Sequence, residues 1–279
     1  MQGKTVVITG ATSGIGEVAA DRLAQQGARI VFIARDQTRG EAMLKHLDAI
    51  AGHSAHAVFY ADLSRLSEMR KVAAEIAAAC PQIDVLINNA GAMFARRQVS
   101  QDGLELTFAL NHMAYFVLTT QLLPQLKGPA RILCTASAAH KGAKLDFDDL
   151  QSTRAYSAWG AYGRSKLMNI LFTRSLAHRL QGSGVTANCL HPGFVNTRFG
   201  DNNKGVFGWG LGLAKNIALS PAQGAETLIY LASSPEVASQ SGKYFHKCRA
   251  ETPSREARND EDAARLWQLS EAIAGHGLS

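Results

Sequence analysis

Thr5-Val6-Val7-Ile8-Thr9-Gly10-Ala11-Thr12-Ser13-Gly14-Ile15-Gly16 opens the chain, and its reading decides the fold. Thr5 to Ile8 is a short apolar run that reads as a buried strand. Ile15 to Gln26 reads as a helix, ended by Gly27. The three glycines between strand and helix permit a tight turn and let backbone approach a pyrophosphate closely. The following helix points its N-terminus at that negative charge. A glycine-rich turn is also an ordinary strand-to-helix connection. Its place after a strand and before a helix makes Gly10, Ser13, Gly14, Ile15 and Gly16 candidate dinucleotide contacts.

Outward from this stretch, apolar runs alternate with amphipathic segments. Strands are expected at Arg29 to Ala34, Ala55 to Tyr60, Ile83 to Ile87, Arg131 to Thr135, Val185 to Leu190 and Gly242 to Phe245. Helices are expected at Thr38 to Ala51, Leu66 to Ala79, Leu104 to Leu123 and Tyr162 to Leu180. Continuous apolar strands separated by helices imply a parallel sheet covered on both faces. With right-handed crossovers this is a Rossmann-type doubly wound α/β sheet of about seven strands. No linker, low-complexity tract or repeat divides the 279 residues, so residues 1–279 read as one domain.

Composition narrows the function class. The net charge of +6 comes from scattered Lys and Arg with no aromatic-basic stripe, which argues against nucleic acid. Cys80, Cys134, Cys189 and Cys248 form no C-x-x-C pair; Cys134 and Cys189 read as buried thiols of a reducing compartment. His53 and His56 share an H-x-x-H spacing with no second ligand pair, so no metal is expected. No signal peptide or membrane-length apolar stretch is visible, and a soluble cytoplasmic protein is expected.

In doubly wound sheets ligands bind beyond the carboxyl ends of the strands. After the second strand stands Arg35, whose planar fork suits the 2′-phosphate of NADP; the adjacent Asp36 keeps NAD open as the less favoured cofactor. Asp62 and Leu63 follow the third strand, with Asp62 placed to meet adenine. Asn89, Ala90 and Gly91 follow the fourth, where small and polar residues let backbone lie against a cofactor.

Four polar residues fall where this fold would gather them. Ser137 follows the fifth strand, Tyr162 and Lys166 share a helix face at i and i+4, and Asn111 sits within the preceding long helix. Reducing a carbonyl by hydride leaves an oxyanion that must take up a proton. A free tyrosine titrates near pH 10, and lowering that by roughly three units needs about 4 kcal/mol of phenolate stabilisation. A Lys166 ammonium and a nicotinamide cation are the expected sources. Ser137 would hydrogen-bond the substrate oxygen, and Asn111 would hold a water on a proton path to Lys166. A Tyr and a Lys at helical spacing are more often a packed ring and a solvated amine; their place after the fifth strand, beside the glycine turn, favours catalysis.

Taken together these residues resemble the short-chain dehydrogenase/reductase family. Its T-G-x-x-x-G-x-G appears as Thr9 to Gly16 and its N-N-A-G as Asn88 to Gly91. Its Y-x-x-x-K appears as Tyr162 to Lys166, and its P-G after the sixth strand as Pro192-Gly193. The resemblance implies catalytic roles for Asn111, Ser137, Tyr162 and Lys166. It implies cofactor contacts at the glycines, Asp62, Asn89, Tyr162, Lys166, and around Pro192, Gly193, Val195 and Thr197. It also implies a homodimer or homotetramer joined through the helices at Leu104 to Leu123 and Tyr162 to Leu180. Ala34-Arg35-Asp36, Leu110-Asn111-His112, Phe147-Asp148-Asp149-Leu150 and Arg265-Leu266-Trp267 look like the retinol dehydrogenase branch, which tends to use NADP. The chain shows no counterpart of the microsomal members' membrane-anchoring N-terminus, which points away from a retinoid as natural substrate.

By family position, Phe194 to Leu219 is a substrate lid. Its Phe199, Phe207, Trp209, Leu211 and Leu213 suggest a lipophilic ligand, although such side chains also simply pack on a core. The expectation is an NADP(H)-dependent enzyme interconverting alcohol and carbonyl. The alternatives are a non-catalytic dinucleotide sensor and a light-driven reductase of the protochlorophyllide type.

Overall fold

The apolar opening run becomes β1 (Thr5–Thr9), which lies in the middle of the sheet. In the computed structural model, residues 1–51, 55–193, 195 and 219–275 are described. The other strands are β2 (Arg29–Ala34), β3 (Ala57–Tyr60), β4 (Val85–Asn88), β5 (Arg131–Thr135), β6 (Thr186–His191), β7 (Tyr244–His246) and β8 (Arg249–Glu251). They form one sheet in the order β3-β2-β1-β4-β5-β6-β7-β8, parallel from β1 to β7, with β8 antiparallel at the edge. The order reverses between β1 and β4, so the crevice for a ligand opens at the carboxyl ends of those two strands.

Helices cover both faces because the strands are apolar on both. On one face α1 (Gly14–Gln25), α2 (Gln37–Ala51) and α7 (Pro221–Ser233) bury Leu23, Leu47 and Leu228 against Ile8, Phe32 and Leu190. On the other, α3 (Leu66–Ala79), α5 (Ala114–Leu122), α6 (Ala158–Arg179) and α8 (Asp260–Ala274) close a larger core around Phe116, Phe172 and Trp267. Cys134 and Cys189 are buried free thiols paired across β5 and β6. His56 accepts the Ile30 amide proton at Nδ1, 2.9 Å away, and so serves the start of β2.

Two expectations change. The eighth strand was not expected: Arg249, Ala250 and Glu251 are exposed, and the two-residue hairpin turn is Lys247-Cys248 at φ 48° and 59°, without the usual Asn-Gly. The single helix expected at Leu104 to Leu123 is instead α4 (Leu106–Phe108), a π-turn (Ala109–Met113) and α5. On their outer side, α5 and α6 pack against α8. The Trp267 ring of α8 stacks on Phe172 at 5.7 Å and meets Phe116 edge-on at 5.0 Å.

Candidate active site

The glycine turn is built for close approach. Gly10 and Gly14 have φ of 73° and 63°, a region an L side chain rarely adopts. Gly16 lies where α1 crosses the end of β1, and a Cβ there would fall 2.9 Å from the Gly10 carbonyl carbon. Ser13 is extended at the N-cap of α1 and makes no side-chain cap bond, so the first-turn amides of α1 are left for an anion. Ile15 touches the α7 glycine: a Cβ on Gly224 would meet its Cγ2 at 2.8 Å.

Arg35 is exposed at the end of β2 and, among the described residues, makes no hydrogen bond or ion pair. The ambiguity over Asp36 eases, because its Oδ1 caps α2 by accepting the Arg39 amide proton at 2.8 Å. Arg39 then reaches from α2 to the glycine turn and donates to the Thr12 carbonyl at 2.7 Å. Asp62 folds onto its own loop, its Oδ1 accepting from Ser64 N and Oγ at 3.0 and 2.8 Å; Leu63 is buried beside it.

Asn89 proves to be chiefly a strut. Its Nδ2 donates to the Thr9 carbonyl at 3.1 Å, its Oδ1 accepts from Thr135 Oγ1 at 3.2 Å, and its amide donates to Thr9 Oγ1 at 2.9 Å. The side chain therefore binds the ends of β1, β4 and β5 together. Pro192 and Gly193 follow β6, and Gly193 has φ 89° with Leu219 against its α-carbon. Val195 pairs with Leu219 in a parallel bridge. Thr197 and most of the 194–219 lid segment lie outside the described residues.

The four polar residues converge. Ser137, at the exit of β5, stands near enough to Tyr162 for its side chain to ease ionisation of the phenol. Ser157 caps α6 by accepting the Gly160 amide proton at 3.3 Å, which starts the helix one turn ahead of Tyr162. Lys166 is 3% exposed; its Nζ donates to the Thr135 carbonyl at 2.9 Å and stands 5.5 Å from the Tyr162 ring centroid. Asn111 is fully buried in the π-turn, a distortion that recurs at functional sites. Its Oδ1 accepts from Ala92 N at 2.9 Å, while its Nδ2 donates to Ala92 O and Ser165 Oγ at 2.9 and 3.0 Å. The Asn111 side chain thus ties α6 to the β4 turn. Asn111 and Lys166 still approach one point: a Cβ on Gly91 would lie 3.1 Å from Asn111 Oδ1 and 3.6 Å from Lys166 Nζ.

Residues 4–205 match the family model described as short chain dehydrogenase. The chain belongs to the short-chain dehydrogenase family. Human retinol dehydrogenase 14 is 39% identical over 296 aligned positions, spanning 99% of this chain and 87% of that protein. Human retinol dehydrogenase 13 is 40% identical over 283 positions, spanning 98% and 85%. A solved structure of an uncharacterized protein from Mycobacterium paratuberculosis superposes with a TM-score of 0.81 at 32% identity, covering 100% of this chain and 96% of that one. A short-chain dehydrogenase from Burkholderia cenocepacia J2315, solved with NADP, gives a TM-score of 0.70 at 25% identity, covering 88% and 96%. This short-chain dehydrogenase is accordingly a retinol dehydrogenase-like oxidoreductase of CH–OH or C=O groups that uses a nicotinamide dinucleotide. Among its described residues no helix is long and apolar enough to cross a membrane.

Burial governs the titration of both Tyr162 and Lys166. Burial pushes the Tyr162 phenol up to about 12, with the Ser137 hydrogen bond acting in the opposite direction. Burial also brings Lys166 down to about 7, countered by Cys134. Without a bound cation, burial therefore favours the neutral phenol. The donor set still fits the cofactor: uncapped amides and close-approach glycines for a pyrophosphate, two arginines at the β2 end, and a buried amine at the β5 end. Sequence reasoning missed two residues. Arg39 lies five residues past the strand on a helix, and only its side chain returns to the turn. Trp159 is 57% exposed, with its ring 6.1 Å from that of Tyr162; the signal available was its place one helical turn ahead of the tyrosine.

Proposed function

We propose that the chain is an NADP(H)-dependent enzyme that interconverts a lipophilic alcohol and its carbonyl compound, with Tyr162 exchanging the proton. The nearness of Ser137 to Tyr162, beside a lysine buried at the end of the same strand, carries this reading. When bound, the nicotinamide supplies or accepts the hydride. In reduction, Tyr162 gives its hydroxyl proton to the carbonyl oxygen, which becomes the alcohol. Ser137 Oγ hydrogen-bonds the same oxygen and keeps the phenol aimed at it. Lys166 holds its amine beside the tyrosine ring, where a positive charge favours the phenolate that remains. A phenol kept neutral by burial suits donation to an alkoxide, a much stronger base.

Arg35 and Arg39 support NADP over NAD, because both stand at the end of β2 while Asp36 is engaged as a helix cap. The NADP named for the Burkholderia structure is consistent with this. The exposed Trp159 ring and the names of the retinol dehydrogenase relatives support a lipophilic substrate. A screen of aldehydes and ketones of increasing chain length with NADPH tests the reading. The expected result is a kcat/KM that climbs with apolar size; no turnover on any member would favour a dinucleotide sensor.

A further inference from the structure

We propose that His140 is a positioning residue that holds Ser137 in place for the proton transfer. The inference rests on the reading of Ser137 and Tyr162 given above. His140 is fully buried in the short 3₁₀ turn Ala138–His140, whose N-cap is Ser137. Its Nδ1 lies 2.6 Å from the Ser137 carbonyl oxygen, and its Nε2 lies 3.2 Å from the Ser254 amide nitrogen. These two partners settle the tautomer. A carbonyl only accepts, so Nδ1 carries the proton and donates it. A backbone amide only donates, so Nε2 is bare and accepts. His140 is therefore a neutral Nδ1–H imidazole that ties the Ser137 backbone to the segment beyond β8. Its ring also packs edge-on against Tyr244 of β7 at 5.2 Å.

The consequence for Ser137 is direct. The Ser137 side chain accepts the Ala139 amide proton at 3.2 Å and neighbours the Tyr162 hydroxyl. Holding its carbonyl fixes the orientation from which Oγ meets that hydroxyl. Protonating His140 would set a second N–H against the Ser254 amide and break the tie. The groups facing it are Lys141 on its own turn, Glu256 beyond β8, His191 at the end of β6, Tyr244 on β7, and Tyr162 through Ser137. His191 in turn stacks on His246, which pairs with Glu251 at 3.0 Å. Burial holds His140 below its ordinary range; the Ser137 bond and Glu256 act in the opposite direction, and Lys141 adds to the lowering.

The test compares wild type with His140→Ala, His140→Asn and Ser137→Ala, reading kcat and KM against pH together with NADPH affinity. The carboxamide of asparagine can still donate to the Ser137 carbonyl but does not titrate. His140→Ala should lower kcat tenfold or more while NADPH affinity stays within about twofold. His140→Asn should recover kcat to within about threefold of wild type and remove the break in kcat below the imidazole range. Equal kcat in the two His140 variants, or an unchanged acid break in His140→Asn, overturns the proposal. Ser137→Ala with full activity would sink the reading beneath it; an inactive Ser137→Ala beside a fully active His140→Ala overturns the positioning role alone. If the variants do not fold, histidine ¹⁵N spectra of the wild type decide, with His140 assigned by its contacts to the Tyr244 ring. An Nδ1–H tautomer supports the proposal, and an Nε2–H tautomer overturns it.

Discussion

Replacing Gly16 and Gly160 with alanine, one at a time, should move stability in opposite directions. A Cβ at Gly16 would sit well inside contact distance of the Gly10 carbonyl oxygen, 2.9 Å from the Gly10 carbonyl carbon and 2.6 Å from Asn89 Nδ2. The atoms it meets are backbone on one side and, on the other, an amide already bonded to Thr9. Neither can swing away, so α1 and the turn must separate by about 1 Å, given ordinary contacts near 3.5–4.0 Å. Overpacking of this kind costs about 1–3 kcal/mol, and a backbone clash belongs at the upper end. At roughly 2–4 °C per kcal/mol for a chain of this size class, Gly16→Ala should lower Tm by about 6–12 °C. It should also weaken NADPH binding at least tenfold, since the displaced turn is the proposed pyrophosphate seat. A Cβ at Gly160, inside α6, meets nothing closer than Arg164 Nη1 at 3.5 Å. There the gain in helix propensity, about 0.5–1 kcal/mol, should raise Tm by a few degrees. Thermal unfolding and NADPH fluorescence titration of both variants measure this. A Gly16→Ala protein that melts within two degrees of wild type and binds NADPH normally would refute the packing argument.

Arg35→Ala and Arg39→Ala should each raise the NADPH Kd about tenfold while leaving NADH nearly unchanged, because a charge-assisted bond to phosphate is worth about 1.5–3 kcal/mol. An unchanged NADPH-to-NADH ratio in both would assign the 2′-phosphate to other groups. Lys166 carries a pH signature: its folded value of about 7 lies below the ordinary 10.5. Between these values the unfolded chain binds more protons, so stability rises with pH across that window and is lowest below pH 7. Lys166→Met should flatten this rise and melt higher than wild type at pH 6, while losing activity; Tm curves parallel to wild type from pH 6 to 9 would contradict it. Trp159→Ala should raise KM for long apolar aldehydes about 5–30-fold, on the order of 1–2 kcal/mol of lost ring contact, and spare short ones. An equal effect on both classes would remove Trp159 from the substrate site.

Much of this molecule is legible from its residue pattern. The turn at Gly10 to Gly16, the alternation of strand and helix, and the Tyr162–Lys166 spacing each follow from local chemistry, and the fold brings them to one crevice. What the pattern hides is how a side chain is spent. Asn89 and Asn111 read as ligands because they are polar and sit near the crevice; the pattern does not display that each also satisfies backbone groups after a strand. The π-turn at Asn111 leaves no trace in a run that is apolar on every side. The β7–β8 hairpin hides because Lys247 and Cys248 adopt positive φ without glycine or asparagine. Burial, which the sequence does not display, raises the Tyr162 phenol and lowers the Lys166 amine.

The central claim is that Tyr162 moves the proton. Tyr162→Phe keeps the ring and its packing and removes only the hydroxyl that Ser137 meets. NADPH oxidation by wild type and Tyr162→Phe, on whichever aldehyde the screen finds best, measures the claim. General acid–base catalysis contributes roughly 10²–10⁴-fold, so kcat should fall by that factor while the NADPH Kd stays close to wild type. A Tyr162→Phe enzyme turning over within a few-fold of wild type would contradict the account.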